Sequence, residues 1–287
     1  MIGERRAGYA GYRTRELFVE GAGPKLVLVH GFGHPAPCWR PVLERCARAH
    51  RPAVAIDLPG FGLADPLAPG PALPQLVRFL EAVVTAQGAS APVVLVGNSL
   101  GAATAVRMLD TVPGLPVRGL VALDIATDQW TPLVKTLLVA DGRAFTAAAG
   151  LPLPRLLQGS ASRRVVARLL YGDPRAADPA MVRMLADQFS TRTGRRELAR
   201  LATRLKAEVS AAARTGDIAC PTIVVHGRRD LVVAPAASRN LHAATPGSRL
   251  VLLDGIGHCP HLDAPDDIVA LATELAGPMH TAHAGTA

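Results

Sequence analysis

The sequence predicts a doubly wound α/β fold, with a mostly parallel sheet and a helical insertion over one end. Three observations carry that expectation. Short, continuously apolar, β-branched runs recur with helix-length segments between them. The runs lack the alternation of a half-solvated antiparallel strand, so they fit strands buried on both faces, as parallel strands are. A block from Asp128 to Asp217 interrupts this rhythm and contains no comparable run.

Taken in order, Gly11 to Glu20 reads as an antiparallel N-terminal strand or one half of a hairpin. Lys25 to His30 is the first buried strand. Ala53 to Asp57, Pro92 to Gly97 and Val117 to Asp124 repeat its character. Between them Trp39 to His50, Leu73 to Gln87 and Leu100 to Val112 have helical apolar spacing, which parallel strands require as crossovers. Within the interrupting block, Val165 to Leu170, Met181 to Phe189 and Glu197 to Ala213 read as amphipathic helices. The alternation then resumes with a strand at Thr222 to His226, a helix near Pro235 to Ala244, a strand at Arg249 to Leu253 and a helix near Asp266 to Ala276. From about Pro278 the chain is rich in Ala, His, Gly and Thr and reads as a frayed tail. The expected organisation is a core of residues 1–127 and 218–287 with a helical insertion of residues 128–217.

Composition narrows the function. A chain of 287 residues suits one large α/β domain with an insertion, and 49% hydrophobic against 19% charged residues excludes wholesale disorder. With 4% aromatic residues the core must be built from Ala, Val, Leu and Ile. No apolar run approaches the ~20 residues of a membrane helix. Arg5, Arg6, Arg13 and Arg15 precede no apolar stretch that would read as a secretory signal. Cys38, Cys46, Cys220 and Cys259 form no CxxC pair, which suits a reducing compartment. A cytoplasmic protein is the expectation. His258-Cys259-Pro260-His261 resembles a metal-ligand string, but no second cluster with ligand spacing accompanies it, so no metal is expected. The formal charge of +8 is concentrated: the block from Asp128 to Asp217 carries 15 Lys and Arg against 8 Asp and Glu, and the rest of the chain 16 against 15. Without a nucleic-acid motif or an aromatic stacking cluster, this reads as a solvated arginine face rather than a specific nucleic-acid site. Attraction of an anionic ligand or lipid surface is the alternative meaning.

The chemistry concentrates at Gly97-Asn98-Ser99-Leu100-Gly101, which follows an expected strand and opens an expected helix. That context gives a G-x-S-x-G match its value. The turn is so sharp that residues two before and two after the serine must be small, and the helix N-terminus beneath it favours developing negative charge. The plainer reading is a glycine-bounded turn with a capping serine. A serine hydroxyl needs a base, itself oriented by a third group. Asp230 and His258 both lie just past expected strands, where ligands bind in open α/β sheets, and the chain order is Ser, Asp, His. His261 is a competing base, and Asp124 and Asp128 are competing acids. Asp57 reads as the anchor of the Pro59-Gly60-Phe61-Gly62 turn. His30-Gly31-Phe32-Gly33, directly after the first buried strand, frees backbone N–H groups to face a substrate carbonyl; Phe32 and Leu100 are the candidate donors. No GxGxxG follows that strand, which argues against a dinucleotide site.

With these pieces together the chain resembles the α/β-hydrolase family over about Leu17 to Ala276. The matching motifs are HGFG at His30 to Gly33, DLPGFG at Asp57 to Gly62, GNSLG at Gly97 to Gly101, GRRD at Gly227 to Asp230 and GHCPHLDAP at Gly257 to Pro265. The resemblance implies Ser99 as nucleophile, His258 as general base, Asp230 as its orienting acid, and a variable cap at Asp128 to Asp217. Ala102 stands where many relatives carry a second glycine. The implied reaction is ester hydrolysis of a small, apolar acyl substrate through an acyl-enzyme, needing no metal or organic cofactor. The serine argues against epoxide opening and dehalogenation, for which relatives use an aspartate. Hydrolytic carbon–carbon cleavage of a diketone is the alternative, because such enzymes share the Gly-Asn-Ser context. A hydrolase-fold binding protein without turnover is the other. Substrate contacts are expected from Trp130 and His34. The insertion's Leu133, Leu137, Leu138, Val139, Leu151, Leu153, Leu156 and Leu157 either line an acyl pocket or form the insertion's own small core.

Overall fold

Alternate residues of the central strands are apolar on both sides, and the fold uses both sides. The computed structural model describes residues 1–138, 160–188, 191–211 and 218–277. In β3 (Leu26–Val29) Val27 and Val29 pack on one face of the sheet and Leu26 and Leu28 on the other. In β4 (Ala53–Ile56) Val54 and Ile56 are likewise separated from Ala53 and Ala55, and in β5 (Val93–Asn98) Val93 and Leu95 from Val94 and Val96. Two cores result, one on each side of the sheet. Burying each Val, Leu or Ile side chain contributes roughly 1.5–3 kcal/mol.

The remaining strands are β1 (Gly3–Tyr9), β2 (Tyr12–Val19), β6 (Val117–Leu123), β7 (Thr222–Gly227) and β8 (Arg249–Leu253). The eight lie in the order β1-β2-β4-β3-β5-β6-β7-β8; β1 and β2 pair antiparallel, β2 is antiparallel to β4, and the rest are parallel. The hairpin half expected at Gly11 to Glu20 therefore has its partner. The strand β1 was not anticipated, because its sequence Gly-Glu-Arg-Arg-Ala-Gly-Tyr is charged and half exposed at the sheet edge. Its connection is a two-residue turn in which Ala10 (φ 49°) and Gly11 (φ 84°) both take positive φ, the requirement of a type I′ hairpin. At the opposite edge β8 is only half buried although its sequence is almost wholly apolar.

The described helices are, in chain order, α1 (Arg40–Arg48), α2 (Leu73–Gln87), α3 (Leu100–Thr111), α4 (Pro132–Leu138), α5 (Ser160–Leu170), α6 (Pro179–Asp187), α7 (Arg192–Ala211), α8 (Ala236–Ala244), α9 (Pro260–Asp263) and α10 (Pro265–Ala276). Helices α2, α3 and α8 cover one face of the sheet and α1 and α10 the other. The helices α4 to α7 lie between β6 and β7, where the helical insertion was expected, and no strand occurs there among the described residues. Helix α6 begins where Asp178 accepts from the Ala180 N–H at 2.9 Å with Pro179 in the first turn, two residues before the periodicity alone indicates. The tail from Pro278, and Val139, Leu151, Leu153, Leu156, Leu157, Phe189 and Ala213, lie outside the described residues. None of the described helices is long and apolar enough to cross a membrane.

One feature of this topology positions a site. Strand β3 has β4 on one side and β5 on the other, so the chain winds away in opposite directions from it. The crevice at the carboxyl ends of β3 and β5 is the switch point where open α/β sheets bind ligands. His30 to Gly33 and Ser99 both emerge there.

Candidate active site

Ser99 sits between β5 and α3 with φ 51° and ψ −111°, a conformation L-residues avoid. Such strain costs on the order of 1–3 kcal/mol and persists only where the surroundings over-determine it. Here they do. A Cβ on Gly97 would lie 2.7 Å from the Ala102 nitrogen, and one on Gly101 would lie 2.3 Å from the Val29 carbonyl oxygen, so only glycine fits either place. The Ser99 N–H donates to the Leu123 carbonyl at 2.8 Å, and its carbonyl accepts from Ala103 at 3.0 Å and Ala126 at 3.3 Å. The glycine–serine–glycine spacing is thus a steric requirement met by β3, β5 and α3 together.

The loop after β3 comes close to the serine: a Cβ on Gly31 would lie 3.3 Å from the Ser99 Cβ and 2.9 Å from Asn98 Oδ1. His30 holds this loop from beneath. Its Nε2 accepts from the Leu58 N–H at 2.9 Å, which leaves the proton on Nδ1 to donate to the Gly31 carbonyl at 2.8 Å. Phe32 packs edge-on against Phe61, ring centroids 5.4 Å apart. Asp57 fixes the Phe61 turn as expected: it accepts from Ala36 N–H at 2.6 Å and Leu63 N–H at 2.8 Å and pairs with Arg15 at 3.0 Å. The Leu100 N–H opens α3, where no intrahelical acceptor exists, and the Phe32 N–H has no partner among the described residues. Both residues line the cavity that contains Ser99.

His258 Nδ1 lies 2.7 Å from Asp230 Oδ2, and Asp230 Oδ1 accepts from the Val232 and Val233 N–H groups at 2.6 and 3.0 Å. Burial alone would raise the Asp230 carboxyl; the opposing charge and hydrogen bond of His258, with the Val232 N–H, outweigh it and hold the carboxyl below its ordinary value. Asn98 Nδ2 donates to the His258 carbonyl at 3.0 Å, tying the histidine loop to the strand that carries the serine. Sequence reasoning did not find this contact. Among the described residues the Ser99 hydroxyl has no hydrogen-bond partner, a state common before substrate is bound.

Of the competing residues, His261 and Asp128 fall elsewhere and Asp124 lies beside the pair. His261 is fully buried and packs against Trp39, ring centroids 4.2 Å apart, away from the cavity. Asp128 lines a separate cavity with Arg107 and Asn240. Asp124 lies close to the pair: its donor atom, that of Asp230 and that of His258 are all within 4.8 Å of one another. Burial and then the Asp230 charge push its carboxyl well above the ordinary value, which favours its protonated form beside Asp230.

A cavity of about 220 Å³ contains Ser99 and His258. Trp130 and His34, the residues from which substrate contacts were expected, both line it. Leu133 does not, being exposed; its neighbour Val134 does. The other walls are Ala126, Leu169, Leu170, Ala202, Leu205, Lys206, Val209 and Val232. Lys206 carried no signal in the sequence beyond being one of only three lysines.

Several buried histidines make stability acid-sensitive. Desolvation lowers His34 from an ordinary value near 6.5 to about 3 and His226 to about 4, and it lowers His30 and His261 as well. Between pH 6.5 and 4 the unfolded chain therefore binds more protons than the folded one, and stability falls as pH falls, by up to about 1.4 kcal/mol per pH unit for each such histidine. The carboxyls of Asp124 and Asp263, both raised by burial, act in the opposite sense above pH 4, against four lowered histidines. The urea midpoint should drop steadily from pH 6.5 to 4.5. A flat midpoint over that window would show that these imidazoles are not buried and neutral.

A parallel-centred sheet with a strained serine at a strand-to-helix turn, beside a carboxylate-anchored histidine, defines a hydrolase of the α/β class. The chain belongs to the alpha/beta hydrolase family, which it matches over residues 26–271. It is 30% identical over 273 residues to the pimeloyl-acyl-carrier-protein methyl ester esterase of Xanthomonas campestris pv. campestris (strain B100), covering 87% of this chain and 94% of that one. The enzyme of the same name from Aeromonas salmonicida (strain A449) is 29% identical over 272 residues, with 90% and 97% covered. Among solved structures, the 2-hydroxy-6-oxo-6-phenylhexa-2,4-dienoate hydrolase of Rhodococcus sp. strain RHA1 superposes with a TM-score of 0.75 at 21% identity, over 96% of this chain and 98% of that one. That likeness is one of fold.

Proposed function

We propose that the protein is a serine hydrolase that cleaves a carboxylic ester through an acyl-enzyme on Ser99. The observation that carries this reading is a single cavity lined by the strained serine, the Asp230-anchored His258 and the two residues whose backbone N–H groups have no partner among the described residues. His258 removes the Ser99 proton as the hydroxyl attacks the acyl carbonyl, and the charge on Asp230 stabilises the imidazolium that forms. The oxyanion rests on the N–H groups of Phe32 and Leu100, each worth about 2.7–4 kcal/mol of transition-state stabilisation. The imidazolium protonates the departing alcohol, and water activated by the same histidine releases the acid. The mechanism calls for no metal or organic cofactor.

Residues 128–217 act in this reading as a cap, and α5 and α7 supply Leu169, Leu170, Ala202, Leu205 and Lys206 to the cavity wall. The wall accounts for a small, mainly apolar acyl group. Lys206 breaks its apolarity. It favours an acyl chain that carries an anionic group away from the ester. The named relatives are methyl ester esterases of a carrier-bound acyl group, which agrees with a small leaving alcohol. Four unpaired cysteines, three of them buried, fit a reducing, cytoplasmic setting.

The test is turnover of p-nitrophenyl esters from acetate to long acyl chains, followed by methyl esters of mono- and dicarboxylic acids. We expect an optimum among short chains and a preference for the dicarboxylic half ester. Lys206→Gln should remove about tenfold of that preference, the worth of a hydrogen bond to a charged group. No ester turnover while a fluorophosphonate still labels Ser99 would favour carbon–carbon cleavage or a more specialised acyl substrate. Neither turnover nor labelling would favour a binding protein.

A further inference from the structure

We propose that His34, Cys259 and His261 form a binding site for a thiophilic divalent cation of the zinc class, directly behind the candidate catalytic histidine. In the sequence, Cys259 and His261 stand alone as a ligand pair. The fold adds His34 from the loop after β3, and the three donor atoms lie within 4.8 Å of one another. All three side chains are buried, Cys259 and His261 completely. His34 Nδ1 and both ring nitrogens of His261 have no hydrogen-bond partner among the described residues. A buried polar atom left unpaired costs about 1–3 kcal/mol, and a cation between the side chains would take one ring nitrogen from each histidine.

The chemistry of the donors selects what that is. Two imidazoles and a thiol are a soft set that favours zinc-like ions over magnesium or calcium, which take oxygen. Bonds of about 2.0–2.3 Å in a tetrahedron set donors roughly 3.3–3.6 Å apart, inside the 4.8 Å within which the three atoms lie, with water as the fourth ligand. The Cys259 thiol, which donates to Asn98 Oδ1 at 4.0 Å, gives up that contact and releases its proton to solvent as it binds. The surroundings already orient the ligands: Trp39 packs against the His261 ring with 31° between planes, and the Cys259 N–H is fixed to the Leu170 carbonyl at 3.0 Å. Asp124, Asp230 and His258 also gather within 4.8 Å, but Asp230 and His258 are bonded to each other, and Asp230 to two backbone N–H groups.

The location has a consequence. His34 follows the Phe32 N–H by two residues, and Cys259 follows His258 directly. A cation held here ties the oxyanion loop to the segment that carries the base and slows hydrolysis.

The test uses the full chain stripped with a chelator. Calorimetric titration with ZnCl2 should show one ion per chain. Titration with Co2+ should give the charge-transfer absorption of a thiolate ligand. His261→Phe should weaken binding at least about tenfold. It should also leave uninhibited ester turnover near that of the parent and relieve inhibition by zinc. A thermal melt establishes that the variant is folded. Absence of binding to the parent protein would overturn the proposal, as a cluster filled by water would give that result. Equal binding by the His261→Phe variant would also overturn it, by moving the ion to another site such as the Asp124 cluster. Binding is read without turnover, so the result stands apart from the ester reading.

Discussion

Ser99→Ala should lower ester turnover by a factor on the order of 10^4–10^6 and abolish fluorophosphonate labelling, with little change in stability. The magnitude follows from the mechanism, in which no other group supplies the covalent step. The small stability change follows from the geometry: the Ser99 hydroxyl has no hydrogen-bond partner among the described residues, while its backbone is held by Leu123, Ala103 and Ala126. The strain at φ 51° remains with alanine, so the variant keeps the turn and loses only the nucleophile. Kinetics and labelling beside a urea titration check all three parts. Residual turnover above about 1% of the parent would place the reacting group elsewhere, since a triad member removed leaves far less.

The parts of the site that were legible in the sequence are those set by local sterics. Gly97 and Gly101 are small because backbone from β3 and α3 passes within 3 Å of where their Cβ atoms would be, and that demand appears as a fixed spacing around Ser99. The central strands were legible because burial on both faces removes alternation. The hidden features are tertiary. Strand β1 has no apolar face to reveal it, and its existence depends on pairing with β2 through a turn at Ala10 and Gly11. Asn98 looks like part of the serine motif, yet its side chain holds the His258 loop. Lys206 is one cation among the many of a basic segment until α7 brings it to the cavity. His34 joins Cys259 and His261 only because β3 and the loop after β8 end at the same sheet edge.

The choice between the two carboxylates near His258 yields the second large effect. Asp230→Asn should lower kcat by roughly 10^4, whereas Asp124→Asn should cost less than about tenfold. At Asp230, Oδ1 accepts from the Val232 and Val233 N–H groups, so an asparagine must place its oxygen there and turn its NH2 toward His258. That NH2 can only donate, which forces Nδ1 of His258 to accept and moves the ring proton to Nε2. The nitrogen that must take the Ser99 proton is then already occupied. At Asp124 the same substitution is mild, because burial and the Asp230 charge favour the protonated carboxyl, of which an amide is the neutral mimic. The backbone contact is preserved as well, since the amide oxygen can accept from the Gly227 N–H as Oδ1 does at 3.0 Å. The two variants differ in kcat by about three orders of magnitude if Asp230 orients the base. The reverse order would make Asp124 the orienting acid and leave Asp230 as its structural neighbour.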